Sequence, residues 1–322
     1  LDYYTNPKLL STSFELADLK AAPYTISKEV KRKQNIAMLG MGLYTTPYAE
    51  IFLNKEFGNN LFMGVHAKHL SSKASVENYA YSGFSNSTAE VWTKKTGKKT
   101  SFWLAGSYNK NAFHYYGFKP EEYISELAQA SLDNESIRQY FNLAELKFNL
   151  SNSISKQTHK YEVKGSLSAL NDKYNNAEQS ISIQGNYNQP IELFGLNNQE
   201  IGMEIVTEIA NTVWNNLSQP LVENSTFDFS PNNDVHGKVE TRVIYSLLFD
   251  PLEVHVGAKL SLGVDSTLPL YVYPDVALKA NLINDVLAIY LKLDGGLEDP
   301  TYSSLSQENH FISSFIPFRA SN

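Results

Sequence analysis

A two-residue alternation of apolar and polar side chains recurs along most of this chain and restricts its fold more than any other feature. In residues 161–169 the odd positions are apolar or glycine, and the even positions are polar, with Glu162 and Lys164 among them. The same pattern returns in residues 180–187 and 253–262. Successive side chains of a β-strand point to opposite faces, so this period indicates strands with one apolar and one polar face. The chain is therefore predicted to be all-β.

The segments that show this alternation are long for strands of a soluble protein. Most measure roughly 10–13 residues, against about 5–6 residues in soluble proteins and about 9–11 residues for a tilted strand that crosses a membrane. The predicted strands are residues 35–44, 47–56, 61–71, 84–94, 100–110, 138–150, 158–170, 178–188, 199–210, 236–249, 252–264, 270–281 and 284–293, with a further fragment near 311–317. Their lengths favour a membrane crossing.

Short and long connections alternate between these strands, although the connections at residues 171–177 and 265–269 are shorter than strict alternation requires. Outer-membrane barrels combine short periplasmic turns with long extracellular loops. The pattern predicts an antiparallel transmembrane β-barrel of about 14 or more strands, occupying residues 34–322 after an irregular segment at residues 1–33. The predicted external loops are residues 72–83, 111–137, 211–235 and 294–310. Within the second loop, helical spacing of apolar residues predicts a helix over residues 121–138.

Composition is compatible with a barrel and excludes several other classes. The mean hydropathy is −0.32, which suits a soluble protein but also a barrel, because half of each strand would face a wet lumen. No run approaches the ~20 apolar residues that a membrane helix needs. The absence of cysteine excludes disulfides and thiolate metal sites. A net charge of −7 argues against nucleic acid as a partner.

The polar faces suggest which residues would line a lumen. Charged side chains at the polar positions would tune the preference for ions or solutes, without catalysis. The residues predicted to face the lumen are Lys68, Glu162, Lys164, Glu204, Glu208, Arg242 and Lys259. A soluble β-sandwich, such as a secreted glycan-binding or adhesin protein, remains the alternative, because alternation by itself does not separate lipid from a protein core.

Signatures of catalysis are missing from the sequence. His66 and His69 are three residues apart, which places them on opposite faces of a strand, so they cannot chelate one metal ion together. Glu204 and Glu208 would lie roughly 13 Å apart along a strand, beyond the separation of about 5–9.5 Å in glycosidase carboxylate pairs. No G-x-S-x-G motif occurs. The chain is predicted not to be an enzyme and to need no cofactor.

Residues 39–73 resemble the opening barrel strands of an outer-membrane family of the Bacteroidota, often labelled TonB-dependent receptor-like. Shorter similar stretches lie at residues 82–85, 114–117 and 299–302. The positions that carry the resemblance in the opening strands are Gly40, Gly42, Tyr44, Thr46, Pro47, Tyr48, Ala49, Glu50, His66, Lys68, His69, Ser71 and Ser72. The resemblance implies a large antiparallel barrel in the outer membrane of a Gram-negative bacterium.

The same resemblance sets expectations about completeness and role. Residues 1–33 are too short for the plug domain of a TonB-dependent transporter, and family barrels continue beyond the region that matches residues 311–318. The chain, which lacks a signal peptide and begins at Leu1, is therefore expected to be processed or partial. The expected function is porin-like or receptor-like passage or binding of an unidentified solute. A non-conducting subunit of a larger assembly is the alternative, with outer-membrane lipid, other outer-membrane proteins or lipoproteins as partners.

Overall fold

The computed structural model describes residues 35–123, 134–152, 159–193, 195–215, 232–264, 269–283 and 287–312. This part of the chain forms one antiparallel sheet of thirteen strands, each paired with its neighbour in sequence. The strands are β1 (Asn35–Gly42), β2 (Thr46–Phe57), β3 (Leu61–Ser72), β4 (Phe84–Thr96), β5 (Thr100–His114), β6 (Arg138–Asn152), β7 (Lys160–Asp172), β8 (Ala177–Leu193), β9 (Leu196–Trp214), β10 (Asn232–Phe249), β11 (Leu252–Gly263), β12 (Leu270–Ile283) and β13 (Leu287–Leu293). Two short helices are α1 (Pro120–Tyr123) and α2 (Tyr302–Glu308). The predicted all-β antiparallel fold is confirmed.

Every predicted main strand is present, with shifts at its ends. Strands β8, β9 and β10 extend to 17, 19 and 18 residues. The predicted helix over residues 121–138 was wrong at its end, because Arg138 begins β6 and is paired with His114. Residues 124–133 of that helix lie outside the described residues, as do residues 1–33 and most of the predicted fragment at 311–317.

The tight hairpins follow from residues that tolerate a left-handed backbone. Asn59 and Asn60 connect β2 to β3 with φ angles of 65° and 57°. Both φ angles lie in the left-handed region, which asparagine adopts more readily than most residues. Gly195, with a φ angle of 70°, lies in the connection between β8 and β9.

The antiparallel order places alternate connections at opposite ends of the strands. One end, here the long-loop end, carries the connections at residues 43–45, 73–83, 115–137, 173–176, 215–231 and 264–269. The other end, here the short-turn end, carries those at residues 58–60, 97–99, 153–159, 194–195, 250–251 and 284–286. All three connections longer than ten residues therefore share one end.

Strand register divides the sheet into two chemically distinct faces. Directly paired residues point to the same side, and one continuous row joins Val65, Val91, Gly106, Leu146, Leu167, Ile181 and Ile209 across β3 to β9. We call this side the apolar face. Its side chains are uncovered within the described residues: Val91 is 55% exposed and Leu167 is 51% exposed. The opposite side is the polar face.

Within the described ranges no helix is both long and apolar enough to cross a membrane. The same part of the chain holds no group of three or more His, Asp or Glu side chains that could bind a metal ion. Strands β1 and β13 each have one edge without a partner strand among the described residues, so the sheet is not closed.

Candidate functional site on the polar face

All seven charged residues that the sequence suggested for a lumen lie on the polar face. Direct pairing puts Glu162, Glu204, Arg242 and Lys259 in one row that crosses β7 to β11, with Asn186 between the first two. Lys164 and Glu208 lie on the same face in neighbouring rows. Lys68 lies apart from them on β3, directly opposite Glu50 of β2. Whether these residues line a lumen depends on closure of the sheet and remains a prediction.

Arg242 is the centre of the charge network in this row. Its Nη1 lies 3.4 Å from Glu204 Oε2, and its Nε donates to Asp275 Oδ2. Asp275 is only 2% exposed. A buried carboxylate without a cationic partner is strongly unfavourable, and Arg242 is the cationic partner of Asp275. Lys238 lies 3.6 Å from Glu208 and 3.5 Å from Glu240, which compensates those charges too.

A segment that we call the strap, residues 294–312, leaves β13 and crosses the polar face near the long-loop end. Lysine side chains of the sheet donate hydrogen bonds to backbone carbonyls in the first part of the strap. Lys259 Nζ donates to the Gly295 carbonyl at 2.7 Å, and Lys238 Nζ donates to the Leu297 carbonyl at 2.9 Å. Gly295 packs so closely against the sheet that a Cβ at this position would lie 2.6 Å from the ring of Tyr273 in β12.

Two contacts that each involve a carboxylate hold the middle of the strap. His236 Nδ1 of β10 lies 3.0 Å from Asp299 Oδ2. Beyond it, Glu178 of β8 accepts from the backbone N–H groups of Tyr302 at 2.6 Å and Ser303 at 2.9 Å. These donors belong to the first turn of α2, where N–H groups have no partner within the helix. Glu178 therefore caps α2 although it lies more than 120 positions earlier in the chain.

Tyr302 is the anchor of the strap. Its side chain is fully buried, and its hydroxyl donates to Asp172 Oδ2 of β7 at 2.8 Å. Asp172 also accepts from the backbone N–H groups of Tyr174 at 2.8 Å and Asn176 at 2.9 Å. Because several donors converge on it, the buried Asp172 carboxylate has partners for both oxygens.

The buried apolar cluster of the described chain lies beneath the strap. It consists of Phe113, Phe141, Leu143, Leu170 and Tyr302, with Phe84, Tyr115, Trp214 and Ile312 packed around it. These sheet positions belong to the polar side, at the long-loop end. Thus the chain builds its small core under the strap and leaves the large apolar face uncovered by any described segment.

Burial around this cluster also affects two tyrosines in the connections. Loss of solvent raises the pKa of Tyr115 to about 12, with nearby Tyr174 and Asp172 adding to the effect. Burial, and then the charge of Asp172, raise the pKa of Tyr174 as well. Both phenols consequently stay protonated at any physiological pH, and Tyr115 donates to the Ile312 carbonyl at 3.4 Å.

Sequence reasoning missed this arrangement and assigned residues 294–310 to an external loop. One local signal was available: Thr301 and Ser304 form a capping box, in which the Thr301 side chain accepts from the Ser304 N–H and Ser304 reaches back to Thr301. Neither Asp172 nor Glu178 was singled out. Their importance depends on contacts with residues far along the chain, which no local pattern contains.

Comparison with known proteins was made at the level of sequence and of structure. No protein-family model matches the chain, and no curated protein matches it. Solved structures do match. The pyoverdine outer-membrane receptor FpvA of Pseudomonas aeruginosa aligns over 79% of this chain and 41% of its own, with a TM-score of 0.57 at 12% identity.

Two further structures agree with this match. The ferric enterobactin receptor PfeA of Pseudomonas aeruginosa aligns over 83% of this chain and 43% of its own, with a TM-score of 0.59 at 9% identity. The outer-membrane transporter YddB of Escherichia coli aligns over 74% and 36%, with a TM-score of 0.50 at 8% identity. The chain thus spans about two fifths of the length of the receptors it matches. The fold of the described residues is therefore similar to part of the fold of these outer-membrane receptors.

Proposed function

We propose that the protein is a receptor-like outer-membrane β-barrel that binds or passes a solute along its polar face, beneath the strap. One observation carries this proposal: a continuous apolar face, which no described segment covers, lies opposite a charged face that the strap crosses and contacts. Large exposed apolar surfaces mark contact with lipid or a partner. In a barrel the apolar face meets lipid and the polar face encloses the lumen.

Orientation follows from the two ends of the strands. Outer-membrane barrels carry their longer loops outside the cell, so the long-loop end faces the exterior and the short-turn end faces the periplasm. The strap then lies at the outer entrance of the lumen. A solute arriving from outside meets the strap before it reaches the charged row at Glu204 and Arg242.

The role of the matched structures supports the same class of function. FpvA has been solved with pyoverdine and PfeA with enterobactin. For this chain we carry over the class alone: a non-enzymatic outer-membrane receptor for a solute, with lipid and other outer-membrane proteins or lipoproteins as partners.

We further propose an origin in the Bacteroidota, supported by the opening-strand motif around Pro47 and His66, and a division into residues 1–33 and a barrel region at 34–322.

The test is conductance of the native protein reconstituted into planar lipid bilayers. With the strap in place, we expect a small conductance. Asp299→Asn removes the anionic partner of His236, and Glu178→Gln removes the carboxylate that caps α2, so the combined variant should release the strap and raise the conductance severalfold. Glu122→Gln changes an exposed carboxylate of α1 instead, and it should leave the conductance as in the wild type.

The outcomes separate the candidate functions. A conductance that rises on strap release supports a gated, receptor-like lumen, and a large conductance already in the wild type indicates an open porin. A barrel that inserts but never conducts indicates the non-conducting subunit. A protein that stays in solution without detergent contradicts the membrane proposal and indicates the soluble adhesin.

A further inference from the structure

A second site lies on the polar face, away from the strap and close to the short-turn end. It is a recess of about 470 Å³ between β4 and β8. We call it the lysine recess, because three lysines line it together with one tryptophan. Its principal lining residues are Lys94, Lys147, Lys164, Trp103, Asn149 and Gln184.

Strand register explains how these residues come together. Lys94, Trp103, Asn149 and Lys164 are directly paired in one row across β4, β5, β6 and β7. Neighbouring strands are about 4.8 Å apart, so the row spans roughly 14 Å. Lys147 lies two residues from Asn149 on the same face of β6. The three flexible lysine side chains therefore surround a ligand placed over Trp103 and Asn149.

The charge of the recess is positive. Lys147 Nζ lies 3.0 Å from Glu145, and Lys164 Nζ lies 2.8 Å from Glu162, so these two lysines are compensated. Lys94 is exposed and makes no ion pair within the described part of the chain. The nearest carboxylate in its own row is Glu56, two strands and roughly 10 Å away. One cationic charge thus remains available to a ligand.

Neighbouring groups add hydrogen-bond donors and a flat apolar surface. Ser166 of β7 and Ser182 of β8 line the side of the recess that lies away from Lys94. Trp103 is partly exposed. An indole ring offers a stacking surface for a ring or another planar group. The Lys94 ammonium next to such a surface suits a carboxylate or phosphate attached to a ring.

We propose that the lysine recess is a binding site for a small anionic solute in which a carboxylate or phosphate adjoins a ring. The anion lies beside the Lys94 ammonium, and the ring lies against Trp103, the residue paired with Lys94. This inference deepens the proposed function by naming the class of solute that the polar face holds on its periplasmic side. It assigns the recess a role separate from that of the strap.

The test is calorimetric titration of the detergent-solubilised native protein at constant ionic strength, with phenyl phosphate as the probe. Benzyl alcohol tests the ring alone, and inorganic phosphate tests the anion alone. We expect phenyl phosphate to bind more tightly than either. Lys94→Gln should weaken its binding about fivefold or more, which is the usual effect of losing one charge-assisted contact, and Trp103→Leu should weaken phenyl phosphate more than inorganic phosphate.

Lys279→Gln is the matched control, because Lys279 is a polar-face lysine outside the recess, 2.8 Å from Glu253. It should change the affinity less than twofold. Equal weakening by Lys279→Gln and Lys94→Gln, or no weakening by Lys94→Gln, would overturn the site. Because binding is measured in micelles without conductance, a failed titration leaves the strap experiment intact, and a silent bilayer leaves the titration interpretable.

Discussion

At the scale of single residues, two buried carboxylates organise the long-loop end. Asp172 and Glu178 are 3% and 1% exposed, and both accept hydrogen bonds from Tyr302. Buried carboxylates are tolerated when donors surround them. Here the donors come from the connection at residues 173–176, from β9 and from the strap, so these two residues fasten the strap to the sheet.

Glu178→Gln tests one of these two fastenings. The amide keeps the size of the side chain but loses its charge, and it has one acceptor oxygen for three donors, the Tyr302 and Ser303 N–H groups and Thr212 Oγ1. We expect a loss of about 2–3 kcal/mol from the free energy of unfolding and faster protease cleavage within the strap. Thr212→Val should cost about 1 kcal/mol. Wild-type cleavage rates in Glu178→Gln would contradict the capping role.

The two glutamates of β9 on the polar face lead to a separate prediction about ion selectivity. Glu204 and Glu208 both project from β9 onto the polar face. If they line a lumen, the double variant Glu204→Lys, Glu208→Lys should shift the permeability ratio from cations toward anions in bilayer recordings with a salt gradient. The matched control Glu122→Lys should leave the permeability ratio unchanged. An unchanged ratio in the double variant would refute the assignment of Glu204 and Glu208 to a lumen wall.

At the scale of elements, the strands were predictable and the strap was not. Each strand is predictable from the period-two alternation within its own sequence. Local turn residues such as Asn59 and Asn60 then indicate where a hairpin turns. The seven charged residues fell on one face for the same reason. Their partners, such as Asp275 for Arg242, depend on pairing between strands, which alternation within one strand does not specify.

The strap lacks a comparable local signal. Its helix α2 has only seven residues, and two of its three buried side chains, Ser303 and Ser306, are polar. Tyr302, the third, is buried only because β6, β7 and β9 meet around it. Sequence separations of more than 120 residues between Glu178 and α2 place this information beyond any local window.

Gly295→Ala tests whether the strap has to pack closely against the sheet. The added Cβ would lie 2.6 Å from the Tyr273 ring, so the ring or the strap has to shift. Such overpacking typically costs about 1–3 kcal/mol, and thermal unfolding followed by circular dichroism should show a lower midpoint. Gly117→Ala is the matched control, because a Cβ at Gly117 would meet no atom within 4 Å. Equal midpoints for the two variants would contradict close docking of the strap.

At the scale of the whole molecule, the distribution of apolar side chains reverses that of a soluble β-protein. A soluble sandwich buries the apolar face of each sheet against a second sheet. Here the apolar face carries exposed Val91, Leu167 and Val256 across separate strands, while the small buried cluster lies under the strap. The described residues also form one sheet of thirteen strands that is similar to part of the fold of outer-membrane receptors. Together with this likeness, the distribution supports the proposal of lipid on one side and solute on the other.

The most direct test of this account is a single-cysteine scan along β7 in proteoliposomes. The chain has no cysteine, so each introduced residue can be spin-labelled without background. Labels at Val163, Leu167 and Ala169 should be accessible to oxygen dissolved in lipid, and labels at Lys164, Ser166 and Ser168 should be accessible to a water-soluble nickel complex. This two-residue alternation is the expected result. Equal accessibility to the nickel complex at all six positions would show that the apolar face does not meet lipid and would contradict the barrel.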